Sequence, residues 1–185
     1  MFRFLFHLFG WKIVGKIDHQ VKKCLFVVCP HATWIDFFVG LGARAALRTE
    51  IGYLGKEELF KPPFGWIFYA LGGKPVKRSQ STNLVQSVAE TFNNYDEIKV
   101  AMAPEGTRKN VSKLKTGFYY MAFTAKVPLI LVGFEYPTKS VVISEPKYLT
   151  GDFKADMQNI MVPFYKNIQG VQKDWIKKYE IGQFE

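Results

Sequence analysis

Residues 24–29 form a continuous apolar run, and this run restricts the possible folds of the chain more than any other feature. The run, Cys-Leu-Phe-Val-Val-Cys, lies between Lys22-Lys23 and Pro30. A strand that faces solvent on one side alternates apolar and polar residues, whereas a strand covered on both faces is apolar throughout. The run therefore predicts a strand buried on both faces, as in a parallel sheet.

Strands and helices alternate along the rest of the chain. Further strands are predicted over residues 51–55, 98–103 and 127–134, and helices over 36–47, 83–93, 117–125 and 156–179, the last interrupted near Pro163 and Gly170. This alternation predicts an α/β fold, with a mixed, mostly parallel sheet flanked by helices, in a single domain over residues 1–185. Active sites in such sheets lie where the carboxyl ends of the strands meet.

The charge of the chain favours a partner that carries phosphate. Lysine and arginine number 25 and aspartate and glutamate 16, so the net charge is +9. A positive surface attracts nucleic acid, anionic lipid or a phosphorylated small molecule. The basic residues are scattered among apolar helices without a recognised nucleic-acid-binding motif, so nucleic acid is not expected as a partner.

The first residues are unusually aromatic. Residues 1–12 are predicted to be a membrane-interface segment, because residues 1–11 are apolar over only about half the length of a spanning helix. A helix here would dip one face into lipid, formed by Phe2, Leu5, Phe6 and Phe9. The alternative is a helix that packs on the core of the domain itself.

His31 and Asp36 are the candidate catalytic pair. His31 follows the first strand, and Asp36 lies five residues further on, at the start of a helix. A turn between the two elements lets the carboxylate reach one ring nitrogen, which fixes the tautomer and makes the other nitrogen a better base. Two other interpretations remain open: the two residues are caps of a strand and a helix, or Cys29 is a nucleophile with His31 as its base.

Residues 104–108, Pro-Glu-Gly-Thr-Arg, follow the strand predicted over 98–103. The proline and Gly106 favour a tight turn, so Glu105, Thr107 and Arg108 are expected to be exposed at the end of the sheet. The guanidinium of Arg108 suits a phosphate, which it can hold through two parallel hydrogen bonds. Glu105 is expected to orient a substrate hydroxyl or an arginine.

A second basic segment, residues 72–79, contains Lys74, Lys77 and Arg78 after two glycines. These side chains are candidates for a further phosphate contact. The order of residues does not match a P-loop or a dinucleotide-binding fingerprint, and an ordinary solvated loop remains the alternative.

Together these segments resemble the glycerolipid acyltransferase superfamily, such as the 1-acylglycerol-3-phosphate acyltransferases. His31 and Asp36 match its His-x4-Asp motif, residues 72–78 resemble Gly-x-x-Phe-Ile-x-Arg, and residues 104–108 match Pro-Glu-Gly-Thr-Arg in full. Residues 127–132 are similar to the fourth motif, an apolar strand that opens with Val-Pro. The four segments occur in the order of the family, across roughly residues 24–135.

The resemblance implies a reaction and a role for each matched residue. His31 would be the general base and Asp36 its orienting partner, while Arg78, Glu105, Gly106, Thr107 and Arg108 would bind the acceptor and its phosphate. An acyl group would pass from acyl-CoA or acyl carrier protein to the hydroxyl of a lysophospholipid acceptor, with 1-acylglycerol-3-phosphate as the leading candidate. No cofactor, metal or covalent intermediate is expected, and the enzyme would be peripheral on the cytoplasmic, inner face of a membrane.

The sequence departs from the family pattern at three positions. Pro30 stands where the family often has asparagine, Lys77 where an acidic residue is frequent, and Leu131 where a second proline is usual. These departures concern the acceptor rather than the reaction, so a lyso-aminolipid or another hydroxylated lipid is the alternative acceptor. A thioesterase and a non-catalytic membrane-binding module are the alternative functions.

Overall fold

Seven strands form one sheet at the centre of the fold. The computed structural model describes residues 2–31, 33–76, 81–170 and 174–184. The strands are β1 (Lys12–Val14), β2 (Lys23–Val28), β3 (Gly52–Lys56), β4 (Gly73–Val76), β5 (Ile98–Met102), β6 (Leu129–Glu135) and β7 (Ser140–Ile143). Their order is β1-β7-β6-β2-β5-β3-β4, and every neighbouring pair is parallel except β6 and β7. The predicted α/β fold with a mostly parallel sheet is confirmed.

Helices cover both faces of this sheet. They are α1 (Phe2–Leu8), α2 (Ile35–Leu47), α3 (Gly65–Ala70), α4 (Ser81–Asn94), α5 (Gly117–Ala125), α6 (Phe153–Asp156), α7 (Val162–Lys166) and α8 (Asp174–Glu180), with a 3₁₀ helix at Glu57–Phe60 and a π-helix at Met157–Met161. Helices α1 and α2 pack against one face, and α4, α5, α7 and α8 against the other.

The burial of β2 on both faces of the sheet explains why residues 24–29 are apolar throughout. Leu25 and Val27 belong to the core beneath α4, α5 and α8, whereas Cys24 and Phe26 belong to the core beneath α1 and α2. All four side chains are at most 2% exposed, as a strand buried on both faces requires.

The helical segment near the carboxyl terminus differs from its prediction at Pro163. The chain stays helical there, because a π-helix at Met157–Met161 leads directly into α7 with the proline in its first turn. A proline lacks the N–H of an α-helical hydrogen bond, and a wider π turn before it is one way in which a helix absorbs that loss. The predicted interruption at Gly170 is confirmed, since this glycine has a positive φ of 100° between α7 and α8.

Helix α1 turns inward part of the face that was expected to meet lipid. Phe6, predicted on the lipid face, is only 4% exposed and packs on α2, where a Cβ atom added to Gly42 would lie 2.8 Å from its ring. The large apolar side chains that are exposed in this segment are those of Phe4, Leu8 and Phe9, at 63–69%, and Phe9 is the one of these three that belongs to the predicted lipid face. Within the residues that the structure describes, no helix has the length and apolar character that a bilayer span requires.

Candidate active site

The three central strands bring separate parts of the chain to one edge of the sheet. Strand β2 lies between β6 and β5, and the three run parallel. Their carboxyl ends therefore meet, and the residues just beyond them are His31 after β2, Glu105 after β5 and Tyr136 after β6. This convergence explains why residues about a hundred positions apart share one site.

His31 and Asp36 are in direct contact. The Nδ1 atom of His31 lies 2.9 Å from Oδ2 of Asp36. The histidine side chain is 24% exposed, whereas the aspartate side chain is 1% exposed. A buried carboxylate on Nδ1 holds the proton on that nitrogen and leaves Nε2 as the basic nitrogen that faces away from the carboxylate.

Two further residues hold the Asp36 carboxylate in place. The backbone N–H of Thr33 donates to Oδ2 over 2.9 Å, and the Thr33 hydroxyl donates to Oδ1 over 3.1 Å. The hydroxyl of Tyr136 also donates to Oδ1, and it lies 3.0 Å from the Thr33 hydroxyl. The turn between β2 and α2 therefore binds the carboxylate that the first turn of α2 supplies.

Sequence reasoning missed Tyr136. The signal was its position two residues beyond the strand predicted over 127–134, the same kind of position that drew attention to His31. Burial, together with the hydrogen bond to Asp36, raises the pKa of Tyr136 to about 12. Its hydroxyl therefore keeps its proton well above neutral pH and remains a donor to Asp36 over the usual working range of an enzyme.

Glu105 is buried, not exposed as predicted. The residue is 3% exposed, and its Oε2 atom accepts a hydrogen bond of 2.6 Å from the backbone N–H of His31. This contact joins the turn after β5 to the turn after β2. The carboxylate therefore holds the His31 segment in position, a role that its sequence neighbourhood, rich in lysine and arginine, did not indicate.

The other residues of the turn after β5 lie closer to solvent. Gly106 and Arg108 are exposed and Thr107 is half-buried, and the Thr107 hydroxyl accepts a hydrogen bond from the backbone N–H of Lys109. Gly106 has a positive φ of 66°, and a Cβ atom there would lie 2.8 Å from Cε of Lys115. Lys115 therefore lies directly over the turn.

The structure describes residues 72–76 of the second basic segment but not residues 77–79. Strand β4 covers Gly73–Val76 and pairs with β3 in parallel, so this part of the segment is not the solvated loop that was the alternative interpretation. Lys77 and Arg78 lie outside the described residues, so the role of Arg78 stays a prediction.

Two cavities meet at His31. The apolar cavity has a volume of about 690 Å³ and lies between the sheet and α2, with Phe26, Val28, Phe37, Leu41, Phe134 and Ile143 among its lining residues. The basic cavity has a volume of about 890 Å³ and is lined by Thr107, Arg108, Lys109 and Lys115 together with residues of α4 and α5. His31 and Arg108 line both. The histidine can therefore act on a molecule that has an apolar part and an anionic part.

Metal binding finds no support in the described part of the chain. No group of three or more histidine, cysteine, aspartate or glutamate side chains lies close enough together there to hold an ion. The expectation that the protein uses no cofactor remains a prediction.

Comparison with known proteins decides the family. A family model described as Acyltransferase matches residues 12–135. The 1-acyl-sn-glycerol-3-phosphate acyltransferase of Escherichia coli (strain K12) is 33% identical over 139 residues, or 71% of this chain. The chain belongs to the acyltransferase family. The resemblance predicted from the sequence motifs is thus confirmed.

Other members of the acyltransferase family show the same similarity. The human 1-acyl-sn-glycerol-3-phosphate acyltransferase beta is 29% identical over 119 residues, which cover 61% of this chain and 41% of that protein. The match to the Escherichia coli protein covers 56% of its length, so the chain spans about half the length of these curated relatives. The crystal structure of the 1-acyl-sn-glycerophosphate (LPA) acyltransferase PlsC from Thermotoga maritima has the same fold, with a TM-score of 0.60 at 17% identity, over 91% of this chain and 75% of that one.

Proposed function

We propose that the protein transfers a fatty acyl group from a thioester to the hydroxyl of a lysophospholipid, with 1-acylglycerol-3-phosphate as the acceptor. The observation that carries this proposal is the position of His31, in contact with Asp36, where an apolar and a basic cavity meet. The acceptor has an acyl chain, a free hydroxyl and a phosphate, and the three regions of the site match these parts. The names of the relatives support the same acceptor.

The proposed mechanism uses His31 as a general base. Its Nε2 atom takes the proton of the acceptor hydroxyl, and the oxygen attacks the carbonyl carbon of the thioester. The new C–O ester bond forms, the C–S bond breaks, and the leaving thiolate takes the proton from the imidazolium. Asp36 stabilises that imidazolium while it exists, because a buried carboxylate interacts strongly with an adjacent positive charge.

In this proposal Arg108 binds the acceptor phosphate, with Lys109 and Lys115 completing the positive surface. Gly106 and Thr107 shape the turn that presents these side chains, and Glu105 holds that turn against His31. The apolar cavity receives an acyl chain. The protein would work at the inner, cytoplasmic surface of a membrane with acyl-CoA or acyl carrier protein as donor.

A product assay tests the proposed function directly. Purified protein is mixed with acyl-CoA or acyl-loaded carrier protein and a panel of lysolipids, including 1-acylglycerol-3-phosphate and a lyso-aminolipid, and products are identified by mass spectrometry. We expect the diacyl phosphate as the main product. Free fatty acid as the only product would indicate a thioesterase instead, and no turnover with any donor would leave a membrane-binding module.

Arg108→Ala is expected to raise KM for 1-acylglycerol-3-phosphate by about 10- to 100-fold, with a much smaller effect on kcat. The reason is that a hydrogen bond to a charged group contributes about 1.5–3 kcal/mol, and tenfold in affinity corresponds to about 1.4 kcal/mol. Initial rates over a range of acceptor concentrations measure the change.

Two comparisons give the Arg108 result its meaning. An acceptor that lacks the phosphate, such as a monoacylglycerol, should respond little to Arg108→Ala. Lys113→Ala removes the same charge from an exposed residue that lines neither cavity, so its KM should stay near that of the unchanged protein. An equal loss with both acceptors would contradict a phosphate-binding role.

Tyr136→Phe is expected to lower kcat roughly tenfold, which corresponds to about 1.4 kcal/mol, while KM changes little. The rate falls because the variant removes one of the donors that hold the Asp36 carboxylate in position against His31. With one donor fewer, the negative charge of the carboxylate is also less neutralised, which favours the protonated histidine. The acid limb of the profile of kcat/KM against pH should therefore move to higher pH. A variant with an unchanged pH profile and a proportional loss of folded protein would indicate a structural role alone.

A further inference from the structure

The mouth of the apolar cavity is surrounded by apolar side chains that face solvent. Trp34, Phe38 and Leu59 line the cavity, yet they are 62%, 51% and 45% exposed. A residue that both lines a cavity and faces solvent lies at its opening. The opening of the apolar cavity therefore presents large apolar side chains to solvent.

Helix α3 and the residue before it carry further exposed apolar side chains, and the same helix reaches the cavity. Phe64, Trp66 and Ile67 are 66%, 68% and 37% exposed, and Phe68 of the same helix lines the cavity. We call the six exposed side chains Trp34, Phe38, Leu59, Phe64, Trp66 and Ile67 the mouth surface. Contiguous exposed apolar residues on a folded protein mark a contact with a partner or a membrane.

Helix α3, which carries Trp66 and Ile67 of the mouth surface, is attached to the 3₁₀ helix before it and to α2. A Cβ atom at Gly65 would lie 2.0 Å from the carbonyl oxygen of Phe60, so the helix begins directly against the 3₁₀ helix before it. The Phe60 and Tyr69 rings lie 4.8 Å apart, and Arg44 donates a hydrogen bond of 2.8 Å to the carbonyl oxygen of Leu71. These anchors fix the apolar side chains in their outward position.

We propose that the mouth surface inserts into the headgroup region of a lipid bilayer, so that the acyl chains of the substrate enter the apolar cavity directly from the membrane. The inference rests on the proposed function, which identifies the molecule that enters the cavity as a lipid with an acyl chain. It places a membrane contact at the cavity itself, apart from residues 1–12, which the sequence predicts to be a membrane-interface segment.

The chemistry of the mouth surface favours a bilayer over a protein partner. Tryptophan and phenylalanine beside a lysine are typical of helices that lie in a membrane interface, and Lys61 is exposed just before α3. The net charge of +9 adds attraction to anionic lipid. A protein bound over the opening would close the route into the cavity, whereas a bilayer leaves it open to lipid.

Vesicle binding tests the proposal with the 185-residue chain. We expect Phe64→Ser combined with Trp66→Ser to weaken binding to vesicles of equal parts phosphatidylglycerol and phosphatidylcholine at least about tenfold, since two large side chains would lose their burial in lipid. Neither residue lines the cavity. The measurement is co-sedimentation over a range of lipid concentrations, with circular dichroism to show that the variant is folded.

A matched control uses exposed apolar residues elsewhere. Tyr148 and Ile181 are 67% and 69% exposed. Tyr148 follows Lys147, which pairs with Leu129 at the opposite end of β6 from the site, and Ile181 follows α8 on the other face of the sheet. Tyr148→Ser combined with Ile181→Ser should leave vesicle binding unchanged.

An activity assay separates this proposal from the proposed function. With acceptor embedded in vesicles, the Phe64→Ser/Trp66→Ser variant should lose activity in parallel with binding, while a short-chain, water-soluble acceptor should be used within about twofold of the normal rate. Vesicle binding equal to that of the unchanged protein would overturn the membrane proposal, as would an equal loss in the control variant. Absence of turnover in the unchanged protein would instead count against the proposed function. Vesicle binding would still decide whether the mouth surface contacts a membrane.

Discussion

His31→Ala is expected to lower kcat by about 10²–10⁴-fold, the range attributed to general-base catalysis by a positioned side chain. The ring is 24% exposed and lies between two cavities, so its removal should leave the fold intact. KM for the acceptor should change far less, because the proposed phosphate contacts at Arg108 remain. Initial rates with acyl-CoA and 1-acylglycerol-3-phosphate measure both constants.

His19→Ala is the matched control for this experiment, since His19 is exposed in the segment between β1 and β2 and lines neither cavity. Its activity should equal that of the unchanged protein. A folded His31→Ala protein with full activity would exclude His31 as the base. A thermal unfolding curve for each variant distinguishes lost chemistry from lost structure.

The sequence predicted those elements whose own composition demands burial. The runs that became β2 and β6 are apolar on both faces, and the spacing of apolar residues in α2 fits one helical face, so local pattern and tertiary environment agree. Strands β1 and β7 were missed because they have only three and four residues. Such short segments become strands through their pairing partners, and pairing is a property of the whole chain.

The candidate site was predicted where its residues are neighbours in sequence, and missed where they are not. The contact of His31 with Asp36 follows from a turn of five residues, which a local argument can treat. The hydrogen bond from the His31 backbone to Glu105 crosses 74 residues, and that from Tyr136 to Asp36 crosses 100. These contacts depend on the order β6-β2-β5, and the order of strands in a parallel sheet cannot be inferred from the spacing of residues along one chain.

Phe6 and Glu105 show a second limit of sequence reasoning. Phe6 was expected to face lipid and Glu105 to face substrate, and both are buried. A helical wheel identifies which residues share a face but not whether a protein surface or a membrane covers it. Likewise, a carboxylate in a basic turn is usually solvated, but here it accepts the N–H of His31 and stays inside.

Asp36→Asn is expected to lower kcat by about a hundredfold or more while leaving the site geometry nearly unchanged. The amide is the same shape as the carboxylate. Its oxygen can stay in the place of Oδ2, where it accepts from His31 and from the Thr33 backbone. Its NH₂ group then faces the hydroxyls of Thr33 and Tyr136, which can rotate to accept instead of donate. The tautomer of the histidine is therefore retained, and only the negative charge is lost.

This loss of charge predicts a specific change with pH. Without the carboxylate, protonation of His31 is less favourable, so the acid limb of the profile of kcat/KM against pH should move to lower pH, opposite to the shift expected for Tyr136→Phe. The other charged groups near His31, Glu105 and Arg108, are the same in both variants. Shifts in the same direction for the two variants would show that Tyr136 does not act through Asp36. An Asp36→Asn protein with normal kcat would show that the imidazolium needs no buried charge, and that the Asp36 carboxylate only shapes the turn.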